Sequence, residues 1–341
     1  MKKDLLLTFD YELFLGKRSG SVDNCLIIPT NKLLEILKKK NKTAIFFVDT
    51  TYINRLEETA KKHELAKNDY HKIYNQLTEI AKNGHYLFHH LHPHWLDAVY
   101  LPDENQWDLS IDNKYTFLNL TKKEQEEIFK YSDNFLKSIY KDAVLNKEPN
   151  GFRAGGFYIE PFAIFKEFFN EYGIRYDFDV MRGFSKKGET HFFDFSNCPE
   201  NNIYRFENKV IEENINGSFL EFTISSYDLK GIYKILNGIN YRLFKNKYFP
   251  YGDGKPTGAK YGITSDYSFF KKYFMSKSSV NLELLNSVTC RKYISLLKKH
   301  NYLQFVSHPK LFSEKSLYYF EKFLQKADNR YEIETDFLKF I

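Results

Sequence analysis

Gly84-His85-Tyr86-Leu87-Phe88-His89-His90-Leu91-His92-Pro93-His94-Trp95 is the stretch on which the reading of this chain turns. Before it, Asp69 to Lys82 repeats apolar residues at helical spacing (Ile73, Leu77, Ile80, Ala81) and stops at Gly84. The stretch itself is predicted as a strand with its exit loop. It holds five of the chain's ten histidines. Imidazole is the commonest side-chain metal ligand and is awkward to bury without a partner. His90, His92 and His94 alternate, so an extended chain projects them to one side, and His90 and His94 also have the separation of a helical turn. Either geometry lets two imidazoles converge on one ion.

Working outward, the first half alternates strand and helix patterns. Leu5 to Phe9 and Thr43 to Val48 are continuous apolar runs, as expected of strands buried on both faces. Thr30 to Lys40 reads as a helix, and Thr121 to Ile139 as another, opened by Thr121 and Glu124 in capping-box spacing. Gly151-Phe152-Arg153 follows, then a predicted helix from Pro161 to Tyr172 and a strand near Gly173 to Asp179. This rhythm predicts a parallel sheet or a barrel of β/α units, with reactive groups at the C-terminal strand ends. From Phe184 to Lys260 the pattern changes to short β-like pieces (His191 to Phe195, Phe219 to Ser225) and a loop at Tyr251 to Gly258. The reading is one domain over 1–341 with 184–260 as an insertion within it. A helix from Leu282 to His300, a strand from Tyr302 to Val306 and a helix from Glu314 to Lys326 complete the pattern.

Composition bounds the partners. Over 341 residues, 43% are hydrophobic and 28% charged, the balance of a globular protein with a substantial core. The 33 Phe and 26 Tyr favour a packed interior and would suit grooves that stack on sugar rings. A net charge of +6 is mild, and Lys38-Lys39-Lys40 reads as a helix C-terminus, so no nucleic-acid partner is expected. Cys25, Cys198 and Cys290 are too few and dispersed for a disulfide framework or a cysteine zinc site. The apolar run at Leu5 is too short for a signal peptide, and no stretch reaches the length of a membrane span, so a cytoplasmic protein is expected.

Four pieces at predicted strand ends carry the chemistry. In Thr8-Phe9-Asp10-Tyr11-Glu12 an extended backbone puts both carboxylates on one face. His90 and His94, with His92 between them, could join a carboxylate around zinc or a similar divalent ion, and a spare carboxylate beside it is a natural general base. Arg153, in Gly151-Phe152-Arg153-Ala154-Gly155-Gly156-Phe157, could orient that base through a charge-assisted pair. His308, in Ser307-His308-Pro309-Lys310, could serve as general acid or oxyanion donor. The loop Gly252-Asp253-Gly254-Lys255-Pro256 lacks the upstream glycine of a P-loop and places proline after its lysine, which excludes that motif.

In this order the pieces resemble the polysaccharide deacetylases of the NodB-homology type, carbohydrate esterase family four, and look most like those of capsule and surface-polysaccharide gene clusters. The resemblance implies a distorted (β/α) barrel and a divalent metal, zinc by default, held by one acidic residue and two histidines. It matches Asp10 to the catalytic base, His90 and His94 to the metal histidines, Arg153 to the arginine that tunes the base, and His308 to the acid. The family's usual second aspartate would fall at Tyr11, so Glu12 takes the ligand role in this reading. His92 is left to bind substrate or to replace a ligand. Trp95, Trp107 and the Tyr251–Lys255 loop with Asp253 are candidates for a sugar-binding rim, Trp95 against the tendency of tryptophan to be buried. The function implied is metal-assisted hydrolysis of an N-acyl group on a sugar, free or lipid-linked, in a surface-polysaccharide intermediate. Two rivals stand beside it: an amidohydrolase or deformylase acting on a small non-sugar amide, and a non-catalytic carbohydrate-binding protein on a degenerate site, for which Tyr11 is the motive.

Overall fold

Strand β1 (Lys2–Tyr11) sets the frame, because its side chains divide between two surroundings. Leu5, Leu7, Phe9 and Tyr11 join the large core under the helices, whereas Leu6 belongs to a second core with Ile45, Phe47, Tyr86, Phe88, Phe178 and Phe222. Strand alternation therefore carries Thr8 and Asp10 to the Leu6 side, followed by Glu12 just beyond the strand. β2 (Ile45–Asp49) and β3 (Tyr86–Leu91) obey the same division, which puts Asp49 and His90 on the inner side. In the strand Gly151–Ala154, Phe152 and Ala154 pack into an outer core, leaving Arg153 to point inward.

The computed structural model describes residues 1–111, 113–186, 193–243, 247–255 and 275–341. Parallel pairing runs from β1 through β2, β3, Gly151–Ala154 and Tyr176–Asp177 to Phe219–Phe222. Ile203–Phe206 adds an antiparallel edge. On the other flank Tyr302–Ser307 lies parallel to β1, and Glu332–Glu334 pairs with the start of β1. The sheet then curls until its ends meet. Ser225 N–H donates to the Gln304 carbonyl (3.2 Å), Val280 N–H to that of Ser225 (2.9 Å) and Val306 N–H to that of Val280 (3.1 Å). Closure by these single bonds, without a regular ladder, is what distorts the expected (β/α) barrel. Phe337 plugs the inner core, its ring 5.0–5.8 Å from those of Tyr86, Phe88, Tyr176, Phe178 and Phe222.

Helices Ile28–Lys39, Glu64–Lys82, Lys122–Asp142, Ala163–Glu171 and Glu314–Asp328 stand where periodicity predicts them, within a few residues at most ends. Two differences have local causes. Thr50–Ala60 is a helix that the periodicity did not reveal, started by Asp49, whose carboxylate accepts from Tyr52 N–H (3.3 Å). The helix expected from Leu282 begins only at Ser287, because Asn286 caps it by accepting from the Val288 and Thr289 amides. Within the stretch from Phe184 to Lys260, Ile203–Phe206 and Phe219–Phe222 belong to the main sheet. The excursion from that sheet is the hairpin Ser226–Lys230 with Met275–Ser279 and the helix Gly231–Leu243. His191 and Phe192 of the β-like piece, and Pro256 to Gly258 of the loop read from sequence, lie outside the described residues. No described helix is long and apolar enough to cross a membrane.

Three carboxyls, Asp177, Asp179 and Glu221, are fully buried together beside Arg153. Asp179 accepts from Ala154 N–H and Glu221 from Val180 N–H, both at 3.0 Å. Burial raises all three; a hydrogen bond from Asp177 eases the ionisation of Glu221 and the charge of Asp179 opposes it, and Glu221 ionises only near pH 8. Unfolded, the Glu221 carboxyl ionises near its ordinary 4.5. Between those values the folded state holds a proton that the unfolded state has released, so stability falls as pH rises through that window. Glu221→Gln keeps the carbonyl that Val180 needs and removes the ionisation. Thermal unfolding followed from pH 5 to pH 8 is expected to show the variant losing less stability than the parent, with a higher melting temperature at the alkaline end; equal pH slopes would refute shared protonation of the trio.

Candidate metal and acid–base site

The inner-facing groups converge at the C-terminal ends of the strands. Arg153 is fully buried and donates to Asp10 Oδ1 (2.5 Å), to Thr8 Oγ1 (2.9 Å) and through Nε to the Phe178 carbonyl (3.2 Å), with its guanidinium 4.1 Å from the centre of the Phe47 ring. Burial works to raise the Asp10 carboxyl, but Arg153, His90 and His308 outweigh it and hold Asp10 below its ordinary value. Asp10 is therefore an ionised carboxylate with one oxygen occupied by the guanidinium. Its other oxygen lies 3.6 Å from His308 Nε2.

Glu12 is the second inner carboxylate. Its Oε2 lies 3.3 Å from His90 Nε2 and 2.6 Å from His92 Nε2, and the two ring nitrogens are 3.0 Å apart. Its Oε1 accepts from Lys310 Nζ (2.9 Å). Burial opposes ionisation of Glu12, yet Lys310 and His92, with hydrogen bonds from both histidines, keep it well below the usual carboxylate range. Tyr11, one residue earlier, points to the helix side, where its hydroxyl donates to Gln76 Oε1 (2.8 Å). Strand alternation alone makes Tyr11 unfit as a ligand and Glu12 fit.

The ligand atoms of Glu12, His90 and His92 all lie within 4.8 Å of one another. His90 Nδ1 sits 2.8 Å from the Arg153 carbonyl, so Nδ1 carries a proton and Nε2 faces the cluster, where loss of its own proton would leave a lone pair for an ion. Ligands at about 2.0–2.1 Å around a tetrahedral ion are about 3.3 Å apart, close to the His90–Glu12 and His90–His92 spacings seen. Burial disfavours charge on His90, but Glu12, Asp10 and Asp49 around it raise its pKa to about 9. A pocket that draws a proton this firmly also draws a cation. The donor set of one carboxylate and two imidazoles fits a divalent ion such as zinc.

The grouping brings His92 to Glu12 and His90, whereas the sequence expectation paired His90 with His94 and left His92 to bind substrate or to replace a ligand. The backbone remains extended through His92 and turns at Pro93, which sets the His94 ring 5.1 Å from that of His92. Its ring stacks on Tyr115 (5.4 Å, 11°) and both its nitrogens are buried without a hydrogen-bond partner. Burial and the neighbouring His92 push His94 well below its ordinary pKa. The other two histidines of the stretch are structural: His85 Nδ1 accepts from Ala44 N–H (3.2 Å), and His89 Nδ1 meets Ser132 Oγ (2.7 Å).

His308 follows the strand Tyr302–Ser307 and stands between carboxylates. Its Nδ1 faces Glu283 Oε1 (3.4 Å), and its Nε2 lies 3.5 Å from Glu12 Oε1, near Asp10 as well. Burial disfavours the imidazolium, but Glu283, Asp10 and Glu12 reverse this and raise its pKa. Three residues expected at the sugar rim make other contacts here. Trp95 is fully buried, and its indole N–H donates to Asp49 Oδ2 (2.6 Å), fixing a carboxylate inside the pocket. Trp107 is buried against it, the rings 5.9 Å apart. Asp253 is occupied by Ser21 N–H and Oγ and Asn24 Nδ2, each at 2.8 Å, so it clamps its loop to the turn after Gly20 and does not face the site. Asp49, Glu283 and Lys310 were missed. A signal for Lys310 existed, as it shares a motif with His308.

No protein-family model matches the sequence, and no curated protein matches it. Solved structures do. One assigned to the polysaccharide deacetylases, from Mycobacterium smegmatis, is 13% identical over 99% of this chain and 89% of that one, with a TM-score of 0.49. The PuuE allantoinase is 11% identical, covering 98% and 86%, at 0.48. The catalytic domain of a peptidoglycan N-acetylglucosamine deacetylase from Eubacterium rectale is 14% identical, covering 98% and 89%, at 0.37. Polysaccharide deacetylases are thus among the structures that this chain resembles.

The geometry separates the histidines experimentally. His92→Ala is expected to lose stoichiometric zinc, measured by elemental analysis after dialysis, while His94→Ala retains it; the reverse pattern would return the ligand role to His94. Lys310 competes with any cation for Glu12. Lys310→Met is expected to bind zinc about tenfold more tightly in chelator competition, since even ~1.4 kcal/mol of relieved repulsion suffices.

Proposed function

We propose that this protein is a metal-dependent hydrolase that removes an N-acyl group, N-acetyl first among them, from a sugar in a surface-polysaccharide intermediate. The observation that supports it is the pairing of an ionised, arginine-held Asp10 with a proton-bearing His308 3.6 Å away, both beside the Glu12–His90–His92 cluster. A base and an acid held at opposite protonation states beside a cation site are the requirement for cleaving an amide. A divalent ion held by Glu12, His90 and His92 would supply Lewis acidity toward the acyl oxygen and acidify water.

The chain's own groups do the proton work. Arg153 lowers the Asp10 carboxyl and fixes its plane, so the oxygen turned away from the guanidinium can take the proton of attacking water. The hydroxyl oxygen bonds to the acyl carbon, and the C–N bond then breaks. His308 gives its proton to the departing nitrogen, releasing the free amine and the acid, and Glu283 on its far side steadies the ring. The aromatic-rich interior and the absence of a P-loop agree with a sugar more than with a nucleotide.

Asp10→Asn and His308→Ala are each expected to lower kcat by roughly 10²–10⁴ on an N-acetylated amino sugar, with zinc stoichiometry intact in both. A panel of N-acetyl and N-formyl sugars against simple amides, read by release of the free acid, identifies the acyl donor. Turnover only of the non-sugar amides would favour an amidohydrolase, and glycan binding with no acid released by metal-replete protein would leave a binding protein.

A further inference from the structure

The chain's positive charge is not evenly spread. Leu229–Gly252 holds Lys230, Lys234, Arg242, Lys245 and Lys247 and no Asp or Glu, against a net +6 for all 341 residues. The helix Gly231–Leu243 lies in this stretch and turns apolar side chains to solvent: Ile235, Leu236, Ile239 and Leu243 are 65%, 44%, 49% and 72% exposed. Their spacing places all four within about a 100° arc of one helix face. Phe249 just beyond it is 65% exposed, and the exposed Arg242 and Lys247 flank the stripe. Exposed large apolar side chains scattered singly need no explanation, but a contiguous stripe on one amphipathic element does.

We propose that this face docks the protein on an anionic lipid bilayer. Apolar side chains on one side of a helix with basic residues beside them are the composition of a helix that lies in the membrane interface, sinking the apolar side chains between headgroups while Lys and Arg meet their charges. The charge argues against a second copy of the chain, because two such faces would repel. It also argues against a nucleic acid, on which a stripe of Ile and Leu would gain nothing. The position fits as well. The excursion that carries the helix leaves the barrel at Ser225 and returns at Val280, which are joined by a backbone hydrogen bond, and Glu283, three residues on, contacts His308. The root of the excursion that carries the docking face therefore stands beside the candidate site.

Vesicle co-sedimentation of the full chain tests this, with phosphatidylglycerol–phosphatidylcholine vesicles against phosphatidylcholine alone. Wild type is expected to pellet with the anionic vesicles, about tenfold less with the neutral ones, and to be released at roughly 1 M salt, where the Debye length is about 3 Å. Ile235→Ser/Ile239→Ser/Leu243→Ser is expected to lose about tenfold or more while unfolding at the parent's temperature. Arg242→Gln/Lys247→Gln, altering exposed side chains only, is expected to lose about fivefold per charge. Wild type that stays in solution with both kinds of vesicle overturns the proposal and indicates that another part of the chain or a second copy covers the stripe. Equal binding to neutral vesicles, or variants that bind like wild type, overturns it too. The proposal does not rest on the hydrolase reading: Asp10→Asn is expected to partition like wild type, so the two can fail separately.

Discussion

Arg153 is the residue on which the site depends. Its guanidinium, with no exposure to water, binds Asp10, Thr8 and the Phe178 carbonyl, and its own carbonyl fixes His90 Nδ1. One residue thus sets the charge of the base and the tautomer of a ligand. A buried cation is expensive unless its partners are close and its donors are used, and removing one partner costs more than the pair contributes. Asp10 therefore anchors Arg153 as well as serving the chemistry, a hydrogen bond that an asparagine oxygen can still accept, and the Asp10–Arg153 pair links two strands that are separated in the sheet by β2 and β3.

Charge balance explains the arrangement around that pair. Asp10, Glu12, Asp49 and Glu283 bring four carboxyls into one buried region, met by Arg153, Lys310 and the imidazoles. Asp49 shows what happens when no cation is adjacent: burial raises its pKa despite His92 and His90, and it is steadied by the Trp95 indole. Glu12 shows the opposite, its two oxygens shared between Lys310 and the histidine pair. A divalent ion entering the cluster would replace the proton that His90 holds there and would meet Lys310 across the same carboxylate. Metal affinity and pH are coupled in such a site through its own residues.

Much of this was legible in the sequence because strand alternation is a local rule. Asp10 and Glu12 share a face two residues apart, Tyr11 between them is turned away, and His90 and His92 repeat the pattern on a strand two places along the sheet. The choice between His92 and His94 turns on where the strand ends, which spacing alone does not say. Pro93 opens a turn there, and the i, i+4 spacing of His90 and His94 belongs to a helix that does not form. Asp49 and Glu283 were invisible for a different reason. Asp49 reaches the site only through its register opposite His90, and Glu283 only because the chain returns to the barrel at Val280. Such contacts are set by the closing of the sheet, and no single segment encodes them.

The same closure also relates the site to the surface. A regular barrel would pair Phe219–Phe222 directly with Tyr302–Ser307; here Ser225 and Val280 stand between them, making one backbone-to-backbone bond each to the strand. That gap in the ladder is where the hairpin Ser226–Lys230 with Met275–Ser279 and its basic, apolar-striped helix emerge. The irregularity that distorts the barrel therefore brings Glu283 to His308 and at the same point projects the charged excursion outward. A change that regularised the barrel seam would disturb both, since the acid's carboxylate partner and the root of the docking face are held by the same few backbone hydrogen bonds.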